Sequence, residues 1–300
     1  MAQSNRECFF FGTEERLQWF KTPLQGADSS PTAWSADGTL LNGGGYGLHS
    51  WGSHKRYTYE WGQSSSPEVA QKMKSYRDGT FGRGLIYFIE PTIFLTNVLP
   101  AIWAAPGMAI GYEAPSMIYG LDPSPVQVSG GEQNDLPVTA AYYEVTSAPQ
   151  GNFSLEDSVF IPIPPGYTLH LGAFYQSTGT AAIFATPINL NGTAGNAQAL
   201  TPLANDASDI LADSFSGIKG VRLWAGRTDL TASSLTATAM IGKLVENGKP
   251  VPSQGPWIGG QGHSGCRFAS TPSYITYSPI EGGRIGFAAS FVEVGSWVYG

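Results

Sequence analysis

From residue 55 to 61 the chain alternates, with Tyr57, Tyr59 and Trp61 on one side and Arg56, Thr58 and Glu60 on the other. A period of two is that of a strand with one buried face. The period then changes. Ser65 or Ser66 stands where a helix is capped, Pro67 suits the first turn, and Glu68 complements the positive end of the helix. Val69, Met73 and Tyr76 follow at i, i+4 and i+7 and give one apolar face, and Asp78-Gly79 supplies the stop. Residues 85–89 form an unbroken apolar run, which reads as a buried strand ending at Glu90-Pro91. The segment is thus strand, short helix, strand. The helix is long enough to cover one side of a small barrel or sheet. Beyond it, residues 97–100 and 103–107 read as an extended, proline-rich excursion.

The second half of the chain reads as all-β. Residues 158–162 are strand-like, and Pro164-Pro165-Gly166 makes a rigid turn. Residues 168–175 alternate, with Leu169, Leu171 and Ala173 facing opposite to His170 and Phe174. Further strands are expected at 181–186, 220–224, 235–245 and 287–294. Residues 189–208 are small, polar and rich in Gly and Ala, and read as a long loop. Many short strands separated by turn signals favour a sandwich or jelly roll. No fixed-period repeat is visible, which argues against a solenoid. Leu121-Asp122-Pro123-Ser124-Pro125 and Ser129-Gly130-Gly131 are linker-like. They place a boundary near residue 125, between domains 1–125 and 126–300; residues 149–151 are an alternative place for it.

Composition sharpens this picture. Hydrophobic residues make up 42% of the 300 and charged residues only 13%, against about a quarter charged in an ordinary globular domain. There is enough apolar surface for a core, so disorder is excluded. The shortage of charge, with 12% aromatics, fits a surface partly given over to subunit interfaces. The 38 glycines and 21 prolines are spread between strand-like runs and mark turns. Net charge is −7. Residues 1–120 carry 9 basic and 10 acidic side chains and residues 121–300 carry 7 and 13, so the acidity lies in the second half. An acidic chain without a basic stripe argues against nucleic-acid binding. Cys8 and Cys266 make neither a disulfide framework nor a metal pattern and read as free thiols. The apolar run at residues 8–11 is too short for a signal peptide, and no stretch reaches the length of a membrane-spanning helix. A soluble protein made in a reducing cytoplasm is expected.

Candidate chemistry is thin. The triple glycine at 43–45 lacks the preceding strand and following Lys-Ser/Thr of a phosphate loop. His49 and His54 flank Trp51-Gly52 without a metal-binding spacing, and none of His49, His54, His170 and His263 forms an i, i+4 pair with a Glu. Gly262-His263-Ser264-Gly265-Cys266 has the flavour of a reactive loop but not the spacing of a nucleophile elbow, and reads as a glycine-permitted turn into a strand at Arg267-Phe268. Glu156 and Asp157 are adjacent and would point to opposite faces of a strand, unlike the facing carboxylates of a glycosidase. Asp206, Asp209 and Asp213 could line one side of a short helix, but match a calcium loop poorly and read as a solvated acidic face. No catalytic residue, cofactor or metal site is assigned. Aromatics are the stronger signal. Trp224, Trp257, Tyr274 and Tyr277 read either as platforms for stacking sugars or as core and interface anchors.

Two stretches carry a resemblance. Residues 55–106 contain K-R-Y-T-Y-E-W, the capped helix, F-G-R-G-L-I-Y-F-I-E-P, T-N-V-L-P and W-A-A-P. Residues 257–297 contain G-H-S-G-C-R-F, T-P-S-Y-I-T-Y-S and F-V-E-V-G-S-W. Both resemble minor tail proteins of phages infecting actinobacteria, and the strand–helix–strand order is similar to the distal tail protein fold. V-F-I-P-I-P-P-G-Y-T-L-H-L-G at 159–172 fits the sandwich of that family. The resemblance implies a mainly β protein: an N-terminal split-barrel-like domain with one short helix, and a C-terminal sandwich of jelly-roll or galectin-like type. It implies a structural virion protein of a siphophage tail tip or baseplate, synthesised in the host cytoplasm and without enzymatic activity. Its partners would be further copies in a ring, often hexameric though trimers occur among tail-tip proteins, together with the tail tube protein and other tail-tip proteins. The outward domain would take part in host attachment by binding envelope carbohydrate; the alternative reading is a carbohydrate-binding adhesin outright. A closed ring needs two different adhesive faces on each subunit. Residues 92–119, with Ile102, Trp103, Met108, Tyr112, Met117 and Tyr119, are either an arm that reaches a neighbour or a long loop folded on its own domain.

Overall fold

A computed structural model of the chain describes residues 9–23, 28–39, 45–65, 67–91, 93–106, 122–127, 136, 139–145, 159–204, 207, 209–229, 231–251, 257–269, 273–277 and 284–294. Of these it gives the backbone alone at 28–39, 45–55, 63–65, 95, 102, 122–127, 139, 141–145, 273–277 and 284–285. Strands dominate the described residues, which fixes the class as mainly β. In chain order the elements are β1 (Phe9–Thr13), β2 (Leu17–Phe20), β3 (Asp28–Thr39), β4 (Gly45–Ser65), α1 (Pro67–Arg77), β5 (Ile86–Ile89), β6 (Asn97–Pro100), the single turn α2 (Ala101–Ala104), β7 (Asp122–Gln127) and β8 (Thr139–Val145). Then come β9 (Val159–Pro162), β10 (Tyr167–Thr178), β11 (Ala181–Ile188), β12 (Gln198–Ala199), β13 (Asp213–Ser216), β14 (Gly220–Arg227), β15 (Ser233–Glu246), β16 (Gly260–Gly262), β17 (Cys266–Phe268), β18 (Ser273–Tyr277) and β19 (Arg284–Glu293).

The first sheet has eight strands in the order β2-β1-β5-β17-β19-β4-β3, with β18 pairing to β19. Among the described residues it stays open, so the split barrel implied by the resemblance is here an unclosed sheet. The boundary expected at residue 125 does not separate the sheets either. β17 and β19, from the far end of the chain, lie between β5 and β4. Tyr57, Tyr59 and Trp61 stand opposite Phe291, Ala289 and Phe287. The sandwich is therefore threaded between two parts of one sheet.

The alternation read at 55–61 belongs to β4, which is 21 residues long. Its inward set, Tyr57, Tyr59 and Trp61, joins Phe9, Phe11, Phe20, Tyr76, Phe88, Phe287 and Phe291 in one buried aromatic cluster. Their rings meet edge-on or offset, as Phe11 and Tyr76 do at 5.1 Å and 86°, the arrangement that ring quadrupoles favour. α1 lies over this cluster through Ala70, Met73 and Tyr76, which are buried. Val69, expected on that face, is half-buried against the same cluster. The helix ends as Asp78-Gly79 predicts: Gly79 takes φ 73°, its N–H bonds Tyr76 O at 3.2 Å, and the Thr80 N–H reaches Ser75 O at 2.9 Å. Together these satisfy the last helical carbonyls.

β1 is buried at every position. Phe9 and Phe11 enter the aromatic cluster while Phe10 joins a second core with Ile89. A strand buried on both faces shows no alternation, which is why both Phe9-Phe10-Phe11 and residues 86–89 read as plain apolar runs.

The second core lies between a five-stranded sheet, β13-β10-β15-β8-β7, and a four-stranded sheet, β12-β11-β14-β9. Leu169, Leu171, Ala173 and Tyr175 of β10 face Ile183 and Ala185 of β11 and Val221, Leu223 and Ala225 of β14 across it. The β10–β15 ladder shifts register between Phe174 and Tyr175, where β15 carries one extra residue, Thr238. Without that bulge a slip of one residue would turn Leu235 and Ala237 out of the core. The loop expected at 189–208 is partly ordered by the core: β12 lies within it, and Leu200, 1% exposed, accepts the Tyr175 hydroxyl at 2.6 Å.

Candidate functional site

Two constellations gather polar chemistry inside the protein. The first joins the sheets. Asn97, expected in an open excursion, is 0% exposed. Its Nδ2 donates to Met240 O at 3.0 Å and to Ile258 O at 2.8 Å. Its Oδ1 accepts the Gly242 N–H at 2.8 Å and the Leu99 N–H at 3.2 Å. Both amide donors and both oxygen lone pairs are used, so the side chain is fully satisfied. It ties β6, β15 and the segment leading to β16 at one point. β6 runs parallel to β16 and presses so closely that a Cβ at Gly262 would lie 1.8 Å from Val98 O, and one at Gly242 3.0 Å from Leu99. The backbone contact requires glycine at Gly262, whereas at Gly242 the contact is a tight one with side chains. Only the Pro-rich spacing around Asn97 marked the segment in the sequence; nothing local to it announces a buried amide.

The second constellation is the turn between β16 and β17. Sequence reasoning found no nucleophile elbow in Gly262-His263-Ser264-Gly265-Cys266, yet the fold brings Cys266 Sγ to 3.6 Å from His263 Nδ1. Both are buried, at 0% and 6% exposure. Burial, followed by the carboxylate of Glu293, pushes the Cys266 thiol well above its usual range. A nucleophilic cysteine needs the opposite setting, electropositive and open to substrate. His263 instead serves the backbone: Nδ1 accepts the Gly265 N–H at 3.2 Å, and Nε2 lies 3.1 Å from Phe88 O and 3.3 Å from Phe88 N. Ser264 turns away from it, with N–H and hydroxyl both donating to Glu293 Oε1 at 3.0 and 3.2 Å. Beside them the Tyr57 hydroxyl is buried and has no hydrogen-bond partner among the described residues. Burial first, then Glu293, Cys266 and Glu90, raise its pKa far above that of a free phenol. Tyr59 is raised too, by burial first and then by Glu90, to which its hydroxyl donates.

The aromatics singled out as sugar platforms separate. Trp257 is an anchor: its Nε1 donates to Ala104 O at 3.2 Å and to Met240 O at 3.3 Å, and its ring packs against two buried clusters. Trp224 is half-buried on the outer side of β14. It stacks on Phe184 at 4.4 Å and 17°, and its Nε1 donates to Thr186 Oγ1 at 2.9 Å. Tyr274 and Tyr277 sit in β18 opposite Phe287 and Arg284; their side chains lie outside the described residues. Of the expected arm, Trp103 is 3% exposed and packs in the chain's own core, so there the segment folds back rather than reaching out. The Ile102 side chain, Met108, Tyr112, Met117 and Tyr119 lie outside the described residues.

Among the described residues the acids and remaining histidines do not converge. Asp213 is in β13, not on a helix, and accepts the Thr201 N–H at 2.8 Å and its hydroxyl at 3.2 Å. Asp209 accepts the Leu211 N–H at 3.1 Å. Glu156, Asp157, Asp206 and Cys8 lie outside the described residues. His49 and His54 fall in the backbone-only part of β4, opposite Ser35 and Thr32. His170 stands opposite Lys243, and burial lowers the pKa of both. Among the described residues no three His, Cys, Asp or Glu side chains are grouped to hold a metal ion, and no helix is long and apolar enough to cross a membrane.

No protein-family model and no curated protein matches the chain. Among solved structures it is similar to the structure of infectious bursal disease virus Gt strain, at 12% identity over 95% of this chain and 75% of that one, with a TM-score of 0.23. A superposition at that score carries neither fold nor function across.

Proposed function

We propose that the chain is a non-enzymatic structural subunit of a phage tail tip, assembling with copies of itself as a ring between the tail tube and the tip. One observation carries the reading. The two stretches that resemble minor tail proteins, 55–106 and 257–297, are about 150 residues apart, yet their strands β4 and β19 are paired in one sheet over residues 56–65 and 285–292. A resemblance scattered by chance would have no reason to fall on paired strands. Two features support assembly. The chain is poor in charge, at 13%. Beyond Pro31 and Lys55, β3 and β4 pair with each other past the end of β19 as a two-stranded ribbon, an element that is marginal by itself in water. The polar constellations at Asn97 and His263 are spent on backbone groups, in keeping with a framework role.

The test is assembly. Light scattering during size-exclusion chromatography should give a discrete oligomer. Replacing residues 33–51 with a short turn should abolish it while the aromatic near-UV circular dichroism signal stays. A strictly monomeric protein at high concentration that also fails to associate with a tail tube would overturn the reading. A second reading, adhesion to envelope glycan, draws on Trp224, held flat against Phe184 at half-exposure. A glycan array run on the wild type and on Trp224→Ala decides it: binding lost in the variant favours adhesion, and no binding by either chain removes it.

A further inference from the structure

The eight-stranded sheet is made of two halves. β2-β1-β5 lies on one side and β19-β4-β3 with β18 on the other. Between them stands β17, three residues long, which meets β5 only at Cys266↔Ile86. The turn before β17 compensates for so short a ladder. On one side His263 Nε2 meets the Phe88 carbonyl of β5 at 3.1 Å. On the other, Ser264 gives two hydrogen bonds to Glu293, the last residue of β19. Val294 N adds a bond to Gly265 O at 2.9 Å. Each half of the sheet is thus fastened to one side of the same three-residue turn.

The His263 fastening needs a neutral ring. An imidazole that accepts the Gly265 N–H at Nδ1 and donates Nε2–H to Phe88 O uses both nitrogens. An imidazolium has no lone pair, so its Nδ1–H would face the Gly265 N–H and leave that buried donor orphaned. The ring is enclosed by Phe88, Tyr57 and Tyr87, with centroids 4.1, 5.8 and 6.4 Å away, so little water reaches a charge placed there. The titratable groups facing it are the Cys266 thiol and the Tyr57 hydroxyl, both kept protonated by burial, and the Glu293 carboxylate, already engaged by Ser264. Glu90, beyond Phe88, is taken up by Tyr59. Arg56 and Arg267 alternate with Tyr57 and Cys266 and are exposed on the opposite face. Among the described residues the Glu293 and Glu90 carboxylates are the groups that would favour the charge, and both are already engaged, by Ser264 and by Tyr59.

We propose that the His263 turn is a proton-operated clasp: closed when the imidazole is neutral, and released on acidification, so that β17 and β19 part from β5 while the sandwich stays folded.

Hydrogen exchange of the full chain, corrected for intrinsic rates, tests it between about pH 7.5 and about pH 5, the range in which histidine changes charge. Peptides covering 263–268 and 287–293 should lose about tenfold or more of their protection in acid, while β10 and β15 keep theirs. In His263→Gln the same peptides should show no acid step. An acid step of equal size in that variant, or none in the wild type, overturns the proposal. So does a step that His263→Gln keeps and Glu293→Gln abolishes, since the proton would then sit on the carboxylate. If His263→Gln does not fold, proton NMR of the wild-type histidines replaces it. The His263 Cε1–H resonance should move only together with the exchange step; a smooth titration with no loss of protection ends the idea.

Discussion

The two cores of this protein are built from different side chains. Under the eight-stranded sheet ten aromatic residues fill one cluster. Between the two sandwich sheets the core is chiefly Val, Ile, Leu and Ala, with Ala173, Ala181, Ala182, Ala185, Ala225 and Ala237 among its members. The difference follows from how each sheet is supplied with strands. In the sandwich, β10 and β15 are long and face β11 and β14, so many small side chains together fill the core. The first sheet has only four-residue strands at β2 and β5 and a three-residue strand at β17, which bring few side chains each. Large rings make up the missing volume. They also bring polar tips that need partners: Trp61 Nε1 donates to Lys21 O at 2.8 Å, and Tyr76 OH to Arg16 O at 2.9 Å. The aromatic core therefore depends on contacts between distant parts of the chain.

The largest expected effect comes from removing residues 258–300. The sandwich keeps its strands, but the first sheet loses β17, β18 and β19, including the partners of Tyr57, Tyr59 and Trp61. Near-UV circular dichroism should lose most of its aromatic signal while far-UV strand content persists. Truncation of the first 60 residues should do the same, because one sheet draws on both ends. If the shortened chain keeps its near-UV spectrum, the aromatic core does not need the C-terminal strands.

Next come single core positions. Phe11 is 0% exposed and touches rings on four sides, at Phe9, Phe20, Tyr76 and Phe291. Phe11→Ala should cost about 3–5 kcal/mol in urea unfolding. Leu171→Ala in the sandwich, also fully buried, should cost about 2–5 kcal/mol. The informative result is whether both variants unfold in one transition. A single transition means the two cores are one cooperative unit; two transitions mean that they melt separately. Asn97→Ala lies between the cores and leaves the Gly242 and Leu99 N–H groups and the Ile258 carbonyl without this partner, while Met240 O keeps only Trp257 Nε1. At about 1–3 kcal/mol for each buried group left unsatisfied, and with water replacing some, a loss of several kcal/mol is expected. Asn97→Asp should be nearly as damaging, since it keeps the acceptor and removes both donors.

Much of the aromatic core was legible, and most of the joints were not. The alternation of Tyr57, Tyr59 and Trp61 and the capped helix through Met73 and Tyr76 are local patterns with a local cause, and both stand in the structure. β10 and β15 were legible for the same reason. The return of β19 into the first sheet left no mark near residue 125, because pairing over such a separation is written in no single window of sequence. Asn97 and His263 escaped for a related reason: their importance lies in backbone groups supplied by segments about 150 residues away or more. Trp257 and Trp103 were noticed for the right chemistry, a large ring with apolar surface, but the sequence could not say whether the ring faces inward or outward. Here both face inward.

Alkali gives a smaller, graded contrast. Burial raises the Tyr76 phenol to about 12, with Gln18 and Arg16 opposing, and Tyr57 and Tyr59 are pushed up further by burial. For a group whose folded value is raised, the stabilisation is complete below the unfolded value near 10 and is lost as pH rises through the folded one. The aromatic core should therefore weaken between about pH 10 and about pH 12. Phenolate absorbance should rise in step with unfolding for these three tyrosines. In the sandwich, Tyr175 is raised as well, by burial first, and belongs in the same test. Early phenolate formation without unfolding would show that the rings are less enclosed than their burial implies.

The smallest effect is expected on the surface of α1. Lys72 Nζ lies 2.9 Å from Glu68 Oε1 at i, i+4, with the carboxylate side chain 73% exposed. The pair lowers the Glu68 pKa through the hydrogen bond first and the charge second, but water and salt screen an interaction so exposed. Lys72→Ala should leave stability almost unchanged, and any shift should vanish in high salt. Met73, one position on and 0% exposed, should cost about 2–5 kcal/mol when cut to Ala. The contrast between neighbours on one helix isolates what holds α1 in place. If Lys72→Ala were as damaging as Met73→Ala, the helix would be fixed by its charged face, and the packing of its apolar face on the aromatic core would not be what positions it.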